Sequence, residues 1–287
     1  MQIRVRAFAK INLSLRVLGV RDDEYHELRT IFQSIALHDT LVIRRARGPL
    51  RITCSDPDCP TDSDNLISRA AAVAWKASGR RGSPRDVVVR LQKRIPLAAG
   101  LGGGSSDAAA ALRAFARVWK INAPQLPQLA RTLGADVPYF LIGGTVLGLE
   151  RGDLLFPLMD HPAHWVTLAV PDFGVQTRDA YSWFDYDRTR GAARRRSERE
   201  PPTRMELGND LQAVVAERHP EISRIVAALR RTGAAHAAMT GSGSAAFGLY
   251  ARKSVAADAA EVVRAPGRRV IVTRTISSGE YRRLAGK

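Results

Sequence analysis

The stretch with the clearest chemical potential is PLAAGLGGGSSDAAAAL, which spans residues 96–112. Four glycines and two serines lie within the seven residues from Gly100 to Ser106, and an alanine-rich segment follows. Glycine lets backbone N–H groups approach a ligand closely, and a helix N-terminus adds unpaired donors with a partial positive charge. This combination favours a phosphate cradle over a turn that only lets the following helix pack tightly.

The loop differs from two common nucleotide-binding loops. It lacks the Gly-Lys-Ser/Thr ending of a Walker A loop, and its glycines fit the GxGxxG spacing of a dinucleotide-binding turn poorly. Asp107 places a carboxylate directly after the serines, close to the proposed phosphates. Its side chain must therefore point away from the phosphates, cap the helix or face a metal ion.

Composition places the chain among soluble globular proteins. Its length of 287 residues is sufficient for one large domain or two ordinary ones. Of these residues, 45% are hydrophobic and 25% are charged. No apolar run approaches the ~18 residues that span a bilayer, and the N-terminus alternates like a strand and not like a signal peptide. The cysteines, Cys54 and Cys59, do not suggest a disulfide framework. We therefore expect a cytoplasmic protein with no membrane contact.

The formal net charge of +16 raises the question of a nucleic-acid partner. Seven arginines lie between Arg188 and Arg204, in a stretch without hydrophobic periodicity that contains Pro201 and Pro202. This pattern indicates a basic loop near residues 187–204, and a solvated insertion is favoured over an RNA-binding arm. A polyanionic small-molecule substrate would also suit the positive field.

The elements that must position the loop are mixed strands and helices. Period-two alternation predicts strands at 3–9 and 11–17, and helical spacing predicts helices at 65–78 and 106–119. Because strands and helices do not alternate strictly, an α+β fold is favoured over a doubly wound sheet. We divide the chain into 1–155, a nucleotide-binding and catalytic lobe, and 156–287, a substrate-binding lobe with the basic loop.

Three segments together resemble the GHMP kinases, a superfamily of small-molecule kinases. These are AFAKINLSLRVLG at 7–19, PLAAGLGGGSSDAA at 96–109 and AAMTGSGSAAFGLY at 237–250, in the order typical of that superfamily. Shorter pieces resemble one branch that phosphorylates a cytidine diphosphate sugar alcohol, among them DEYHEL, DNL, GADVP and NDL, at 23–28, 64–66, 134–138 and 209–211. The resemblance covers nearly the whole chain apart from the arginine-rich stretch.

The resemblance implies a two-lobed α+β fold. The N-terminal lobe would be like domain 2 of ribosomal protein S5, the C-terminal lobe would be ferredoxin-like, and substrates would bind between them. It also implies ATP and Mg²⁺ as cofactors and a small-molecule substrate. The metal ligands and the oligomeric state stay open at this stage.

The same resemblance implies roles for individual residues. Asp136 would be the base that takes the proton from the attacking hydroxyl, and Lys10 would keep that carboxylate ionised. The substrate would be bound by Asn12, Tyr25, His26, Thr177 and Tyr181, with the aromatic rings on either side of the cytosine.

On the nucleotide side, the resemblance implies two groups of residues. ATP would be bound by Asn65, Leu66, Lys93, Pro96, Gly100, Leu101, Gly102, Gly103, Gly104, Ser105 and Ser106. The second glycine turn, made of Gly241, Ser242 and Gly243, would close over the phosphates.

The sequence departs from the family pattern at two positions. Glu24 stands where the family has glycine before Tyr-His, and Ala98 stands where some members have glycine. If Glu24 adopts a positive φ, the strain is roughly 1 kcal/mol or more. Two other functions stay open, namely a GHMP kinase for another alcohol and an RNA-binding protein on an S5-like scaffold.

Overall fold

The computed structural model describes residues 2–189 and 207–286. Most of the predicted basic loop at 187–204 lies outside these ranges, and residues 187–189 end a helix. No helix in the described ranges has the length and apolar character needed to cross a membrane.

The first sheet is built around a long antiparallel pair. It contains β1 (Gln2–Val20), β2 (His26–Pro49), β3 (Arg51–Cys54), β4 (Arg85–Gln92), β5 (Thr145–Glu150) and β6 (Leu154–Pro157). The two strands predicted at 3–9 and 11–17 are one continuous strand, which corrects the sequence prediction. Register shifts at Phe8/Lys10 and Asn12/Ser14 interrupt the pairing without ending the strand.

Four helices accompany this sheet, namely α1 (Leu66–Ala77), α2 (Gly103–Trp119), α3 (Leu126–Arg131) and α4 (Tyr139–Ile142). The alanines at 108–111 are buried, so α2 packs closely against its neighbours. Helix α2 begins at Gly103, three residues before the predicted start at 106. Gly102 before it has a φ of 70°, a left-handed conformation that glycine adopts at little cost.

The second sheet has four antiparallel strands. The elements after β6 are, in chain order, β7 (Trp165–Pro171), α5 (Thr177–Thr189), β8 (Gly208–Asn209), α6 (Leu211–Arg218), α7 (Glu221–Arg231), β9 (His236–Met239), β10 (Ala246–Tyr250), α8 (Lys253–Val262), β11 (Arg268–Arg274) and α9 (Ser278–Leu284). Of these strands, β8 joins the first sheet and the other four form the second sheet. The sheet order β11-β7-β10-β9 with helices in the two crossovers is a ferredoxin-like arrangement. The predicted α+β class and ferredoxin-like lobe are thus confirmed.

The two halves of the chain are connected at more than one place. The predicted boundary between 155 and 156 falls within β6, and the second sheet begins at Trp165. Strand β8 runs parallel to β1, and in α9 the Tyr281 hydroxyl donates to the Phe140 carbonyl oxygen at 2.6 Å. Two segments after residue 156 therefore pack on the first lobe.

Candidate active site

The three segments that resemble GHMP kinases, at 7–19, 96–109 and 237–250, meet at one point. The Lys10 N–H donates to the Leu101 carbonyl oxygen at 3.0 Å, which joins β1 to the glycine loop. A Cβ atom at Gly100 would lie 2.2 Å from the Thr240 carbonyl oxygen, and one at Gly241 would lie 3.0 Å from the Gly100 carbonyl oxygen and 3.2 Å from Lys10 Nζ. Glycine at these two positions is therefore required by the close approach of the backbones.

Lys10 and Asp136, predicted as a pair, are brought together. Lys10 Nζ lies 3.6 Å from Asp136 Oδ2 and donates to Asn12 Oδ1 at 2.7 Å. The lysine side chain is 4% exposed, whereas that of Asp136 is 35% exposed. Burial lowers the pKa of Lys10, and the Asp136 charge opposes that effect. The arrangement leaves the carboxylate accessible to a substrate hydroxyl beside a buried cation.

Asn12 is fixed by two threonines that sequence reasoning missed. Asn12 Nδ2 donates to Thr30 Oγ1 at 2.7 Å, and Thr30 Oγ1 donates to the Ser14 carbonyl oxygen at 2.7 Å. The Asn12 N–H donates to Thr240 Oγ1 at 3.0 Å. These bonds direct the Asn12 side-chain oxygen at Lys10. Its contact with a substrate hydroxyl stays a prediction.

The second glycine turn is held from two sides. Asn209 Nδ2 donates to the carbonyl oxygens of Met239 at 2.9 Å and Gly241 at 2.7 Å. Thr177 Oγ1 lies 3.1 Å from Ser242 Oγ. Asn209 was absent from the predicted site, although it lies in the NDL segment at 209–211 that supported the family resemblance. Thr177, predicted on the substrate side, joins α5 to the turn.

The residues predicted to form the phosphate cradle lie in the first turn of α2. The Ser106 N–H is bonded to the Gly102 carbonyl oxygen at 2.9 Å, and the N–H groups of Gly103, Gly104 and Ser105 precede it in the helix. A helix leaves its first N–H groups without intrahelical partners, so these three are suited to bind an anion. Half-buried Pro96 lies at the start of the loop, and buried Leu101 precedes Gly102.

The two serines of the cradle differ in their surroundings. The Ser106 hydroxyl donates to the Phe8 carbonyl oxygen at 2.7 Å, and the residue is 1% exposed. Ser105 is half-buried. The Ser106 hydroxyl thus connects α2 to β1. Its contact with ATP stays a prediction.

Lys93 lies beneath the cradle in a buried triad with two carboxylates. Lys93 Nζ is 2.5 Å from Asp39 Oδ2 and 2.9 Å from Asp107 Oδ2, and its side chain is 2% exposed. A Cβ atom at Gly103 would lie 3.2 Å from Lys93 Nζ, so the ammonium group packs against the loop. Of the three orientations expected for Asp107, the structure shows the one that points away from the phosphates. Asp39 gave no signal in the sequence.

The carboxyl group of Asp107 has an unusually high pKa. Burial raises the pKa of Asp107 to about 8, partly opposed by Lys93, and Asp107 Oδ1 has no hydrogen-bond partner. Asp39 Oδ1 instead accepts a hydrogen bond from the Ile95 N–H at 2.9 Å. We therefore assign a neutral carboxyl group to Asp107 at pH 7.

The remaining residues predicted to bind ATP lie at the start of α1. Asn65 caps the helix by accepting a hydrogen bond from the Ile67 N–H at 2.8 Å, and its Nδ2 donates to the Pro60 carbonyl oxygen at 2.6 Å. A Cβ atom at Gly104 would lie 3.7 Å from Leu66 Cδ1, so Leu66 is close to the cradle. The structure thus places Leu66 beside the loop and uses the Asn65 side chain within the protein.

The residues predicted to bind the cytosine ring are arranged differently from the expected pair of rings on either side of it. The His26 ring stacks on Tyr181, with centroids 4.5 Å apart and planes 26° from parallel. Tyr25 is 56% exposed, and the Arg151 guanidinium lies 5.1 Å from its ring centroid. Among the described aromatic pairs, Tyr181 therefore contacts His26 and not Tyr25.

Two further observations connect this cluster to the rest of the site. Burial and the nearby Asp136 charge raise the pKa of Tyr181, so the tyrosine lies within electrostatic reach of the predicted base. Glu24 has a φ of 63°, which confirms that the position before Tyr25 requires the left-handed conformation. The chain thus carries a strain of about 1 kcal/mol where glycine would carry little.

Comparison with known proteins agrees with this geometry. The GHMP kinases N terminal domain matches residues 65–144, and the GHMP kinases C terminal domain matches residues 190–269. A 4-diphosphocytidyl-2-C-methyl-D-erythritol kinase from Moorella thermoacetica is 42% identical over 283 residues, which cover 94% of this chain and 98% of the relative. The enzyme of the same name from Deinococcus radiodurans is 42% identical over 268 residues, or 90% and 88% of the two chains.

Solved structures show the same relationship. A crystal structure of 4-(cytidine 5'-diphospho)-2C-methyl-D-erythritol kinase matches with a TM-score of 0.77 and 34% identity, covering 95% of this chain and 99% of that chain. Homoserine kinase from Cytophaga hutchinsonii shares the fold, with a TM-score of 0.66 at 18% identity and coverage of 96% of each chain. The chain therefore belongs to the GHMP kinases and, within them, to the family of 4-diphosphocytidyl-2-C-methyl-D-erythritol kinases.

Proposed function

We propose that this chain transfers the γ-phosphoryl group of ATP to the 2-hydroxyl of 4-diphosphocytidyl-2-C-methyl-D-erythritol, a step of the non-mevalonate route to isoprenoid precursors. The observation that carries the proposal is the Lys10–Asp136 pair, whose charged groups lie 3.6 Å apart. The Lys10 N–H is also bonded to the glycine loop, which brings the pair next to the cradle. A carboxylate beside a phosphate cradle is the arrangement that phosphoryl transfer to an alcohol requires.

Each member of the pair has a distinct task in this proposal. Asp136 accepts the proton of the attacking hydroxyl, since its carboxylate is the exposed partner of the pair. Lys10 places a buried ammonium group beside that carboxylate and adds positive charge on the side of the transferred phosphoryl group. Asn12 holds the ammonium group in place through the 2.7 Å hydrogen bond to its side-chain oxygen.

The cradle supplies the nucleotide side of the reaction. The N–H groups of Gly103, Gly104 and Ser105 open the 17-residue helix α2, whose dipole favours negative charge at that end. The turn from Gly241 to Gly243 lies against Gly100 and would bring a second set of backbone donors to the phosphates. The proposed ATP site therefore lies between the two turns.

Mg²⁺ fits this site as a companion of the nucleotide. Among residues 2–189 and 207–286, no group of three or more His, Cys, Asp or Glu side chains is placed to hold a metal ion. The ion would thus be held mainly by the ATP phosphates, and when bound it neutralises part of their charge. The protein residues bind, orient and deprotonate as described above.

Coupled ADP release from purified protein with Mg²⁺-ATP tests the proposal. Three acceptors are compared, namely the cytidylated substrate, the same sugar phosphate without cytidine, and homoserine. We expect turnover with the cytidylated substrate alone. Turnover of homoserine or of the bare sugar phosphate would favour a GHMP kinase for another alcohol. Absence of ADP with all three acceptors would overturn the proposal and favour the RNA-binding hypothesis.

A further inference from the structure

A carboxylate outside the predicted site contacts the histidine inside it. His26 Nε2 lies 2.9 Å from Asp185 Oδ1 and 3.1 Å from Asp185 Oδ2. Asp185 is four residues after Tyr181 on α5, so both side chains lie on one face of that helix. His26 is thus held by ring stacking from Tyr181 and by a hydrogen bond to Asp185.

We propose that Asp185 is a positioning residue that fixes the tautomer of His26 and thereby makes the site select cytosine over uracil. The inference rests on the proposed function, because it takes His26 as the residue that reads the base. An ionised carboxylate only accepts hydrogen bonds, so the hydrogen of a neutral imidazole must be on Nε2. Nδ1 is then left as an acceptor.

The free nitrogen is available to a ligand. His26 Nδ1 has no hydrogen-bond partner within the described ranges, and the side chain is 14% exposed. The His26 ring is also restrained from rotating by the stacked Tyr181 ring at 4.5 Å. A fixed ring with one open acceptor is a directional contact, which a freely rotating imidazole would not provide.

The two pyrimidines differ at the atom that such a contact would read. Cytosine carries an amino group at position 4, which donates hydrogen bonds, whereas uracil carries a carbonyl oxygen there, which accepts them. An Nδ1 acceptor therefore bonds the cytosine amino group and faces a second acceptor in uracil. One such contact corresponds to roughly 10- to 100-fold discrimination between the two bases.

Replacing Asp185 by asparagine tests the proposal. The amide can accept from or donate to Nε2, so both tautomers of His26 become accessible. We expect Asp185→Asn to lower the ratio of kcat/KM for the cytidine and uridine forms of the substrate at least about tenfold at pH 8. The KM for ATP should change less than about twofold, because the nucleotide site is elsewhere. Asp179→Asn, an exposed acid on the same helix, is the matched control.

Nitrogen-15 NMR of the wild-type chain reads the tautomer directly, with His26→Gln used to assign the signal. We expect the hydrogen on Nε2 at pH 8. A hydrogen on Nδ1, protons on both nitrogens, or undiminished base selection in Asp185→Asn would each overturn the proposal. If the wild-type chain does not phosphorylate the cytidylated substrate, the proposed function fails, whereas the NMR result still decides the role of Asp185 in holding the tautomer.

Discussion

Two lysine–aspartate clusters contact adjacent glycines of the same loop. A Cβ atom at Gly102 would lie 3.2 Å from Lys10 Cγ, and one at Gly103 would lie 3.2 Å from Lys93 Nζ. Lys10 has one carboxylate at 3.6 Å, and that group is 35% exposed. Lys93 has two carboxylates at 2.5 Å and 2.9 Å, and both are buried.

The two clusters shift the pKa values of their lysines in opposite directions. Burial lowers the pKa of Lys10 because a single half-exposed partner compensates only part of the lost hydration. Burial also acts to lower the pKa of Lys93, but its interactions with the two carboxyl groups of Asp107 and Asp39 together raise it. The Lys10 cluster thus has a partly exposed carboxylate, the one proposed as the base, whereas the Lys93 cluster is fully buried and suited to hold the loop in place.

The largest expected effect is on catalysis at the Lys10 cluster. Replacement of Asp136 by asparagine removes the proton acceptor, so we expect kcat to fall by about 10²- to 10⁴-fold. The midpoint of thermal unfolding should shift by less than about 2 °C, since the side chain is partly exposed. Steady-state ADP release and calorimetry measure the two quantities. A variant that keeps more than a tenth of the wild-type kcat would remove Asp136 from the role of base.

The next largest expected effect is on the folding stability that the Lys93 cluster provides. Lys93→Met leaves two buried carboxyl groups without their cation, and we expect the free energy of unfolding to fall by about 3–5 kcal/mol. Urea unfolding followed by circular dichroism measures it. Lys10→Met is the matched variant, and it should lose more in kcat and less in stability. The contrast between the clusters would be wrong if the two variants lost equal stability.

The third prediction concerns how the free energy of unfolding depends on pH. Because the folded-state pKa of Asp107 is about 8, above its ordinary value near 4, the folded protein holds a proton that the unfolded chain releases between these values. This contribution to stability is complete below pH 4 and is lost as pH rises toward 8. Relative to wild type, Asp107→Asn should therefore gain stability between pH 5 and pH 8, by up to about 4 kcal/mol.

Urea unfolding of both proteins at pH 5, 6, 7 and 8 checks this sign. Asparagine has the size of a protonated aspartate and does not titrate, so the difference in stability between the two proteins should be smallest at pH 5 and should grow at each higher pH. Parallel curves across the whole range would show that Asp107 is ionised throughout, and that the charge assignment within the triad is wrong.

The clusters also show how far the sequence could be interpreted. Period-two alternation correctly indicated strand structure at 3–9 and 11–17, and the glycine loop correctly indicated a helix start within three residues. Local patterns identify such elements because neighbouring residues determine them. The continuity of β1 was missed, since the bulges between Phe8 and Ser14 depend on pairing with β2.

Partners far apart along the chain were harder to find. Lys93 was predicted to contact ATP, yet its carboxylates come from position 39, on another strand, and position 107, in α2. Thr30 orients Asn12 from across the sheet, and Asp185 reaches His26 across 159 positions. None of these pairings leaves a periodic signal, because only the folded topology brings the residues together. Thr240 and Asn209 could have been included, since both lie within the segments that carried the resemblance.

The smallest effect separates the two serines of the cradle. Ser106→Ala removes the hydroxyl that donates to the Phe8 carbonyl oxygen, and we expect a loss of about 1 kcal/mol in the free energy of unfolding. The KM for ATP should change less than about threefold, because the hydroxyl already has a partner within the protein. Ser105→Ala is the matched variant, and it should leave stability within about 0.5 kcal/mol of wild type.

The comparison of the two serines decides on which side of the loop the nucleotide lies. If Ser106→Ala raises the KM for ATP tenfold or more at unchanged stability, the hydroxyl must leave Phe8 to bind a phosphate, and the loop must rearrange when ATP binds. If only Ser105→Ala raises the KM, ATP binds on the exposed face of α2. In that case the buried face, with Ser106, Lys93 and Asp107, acts only as the support that holds the backbone donors in place.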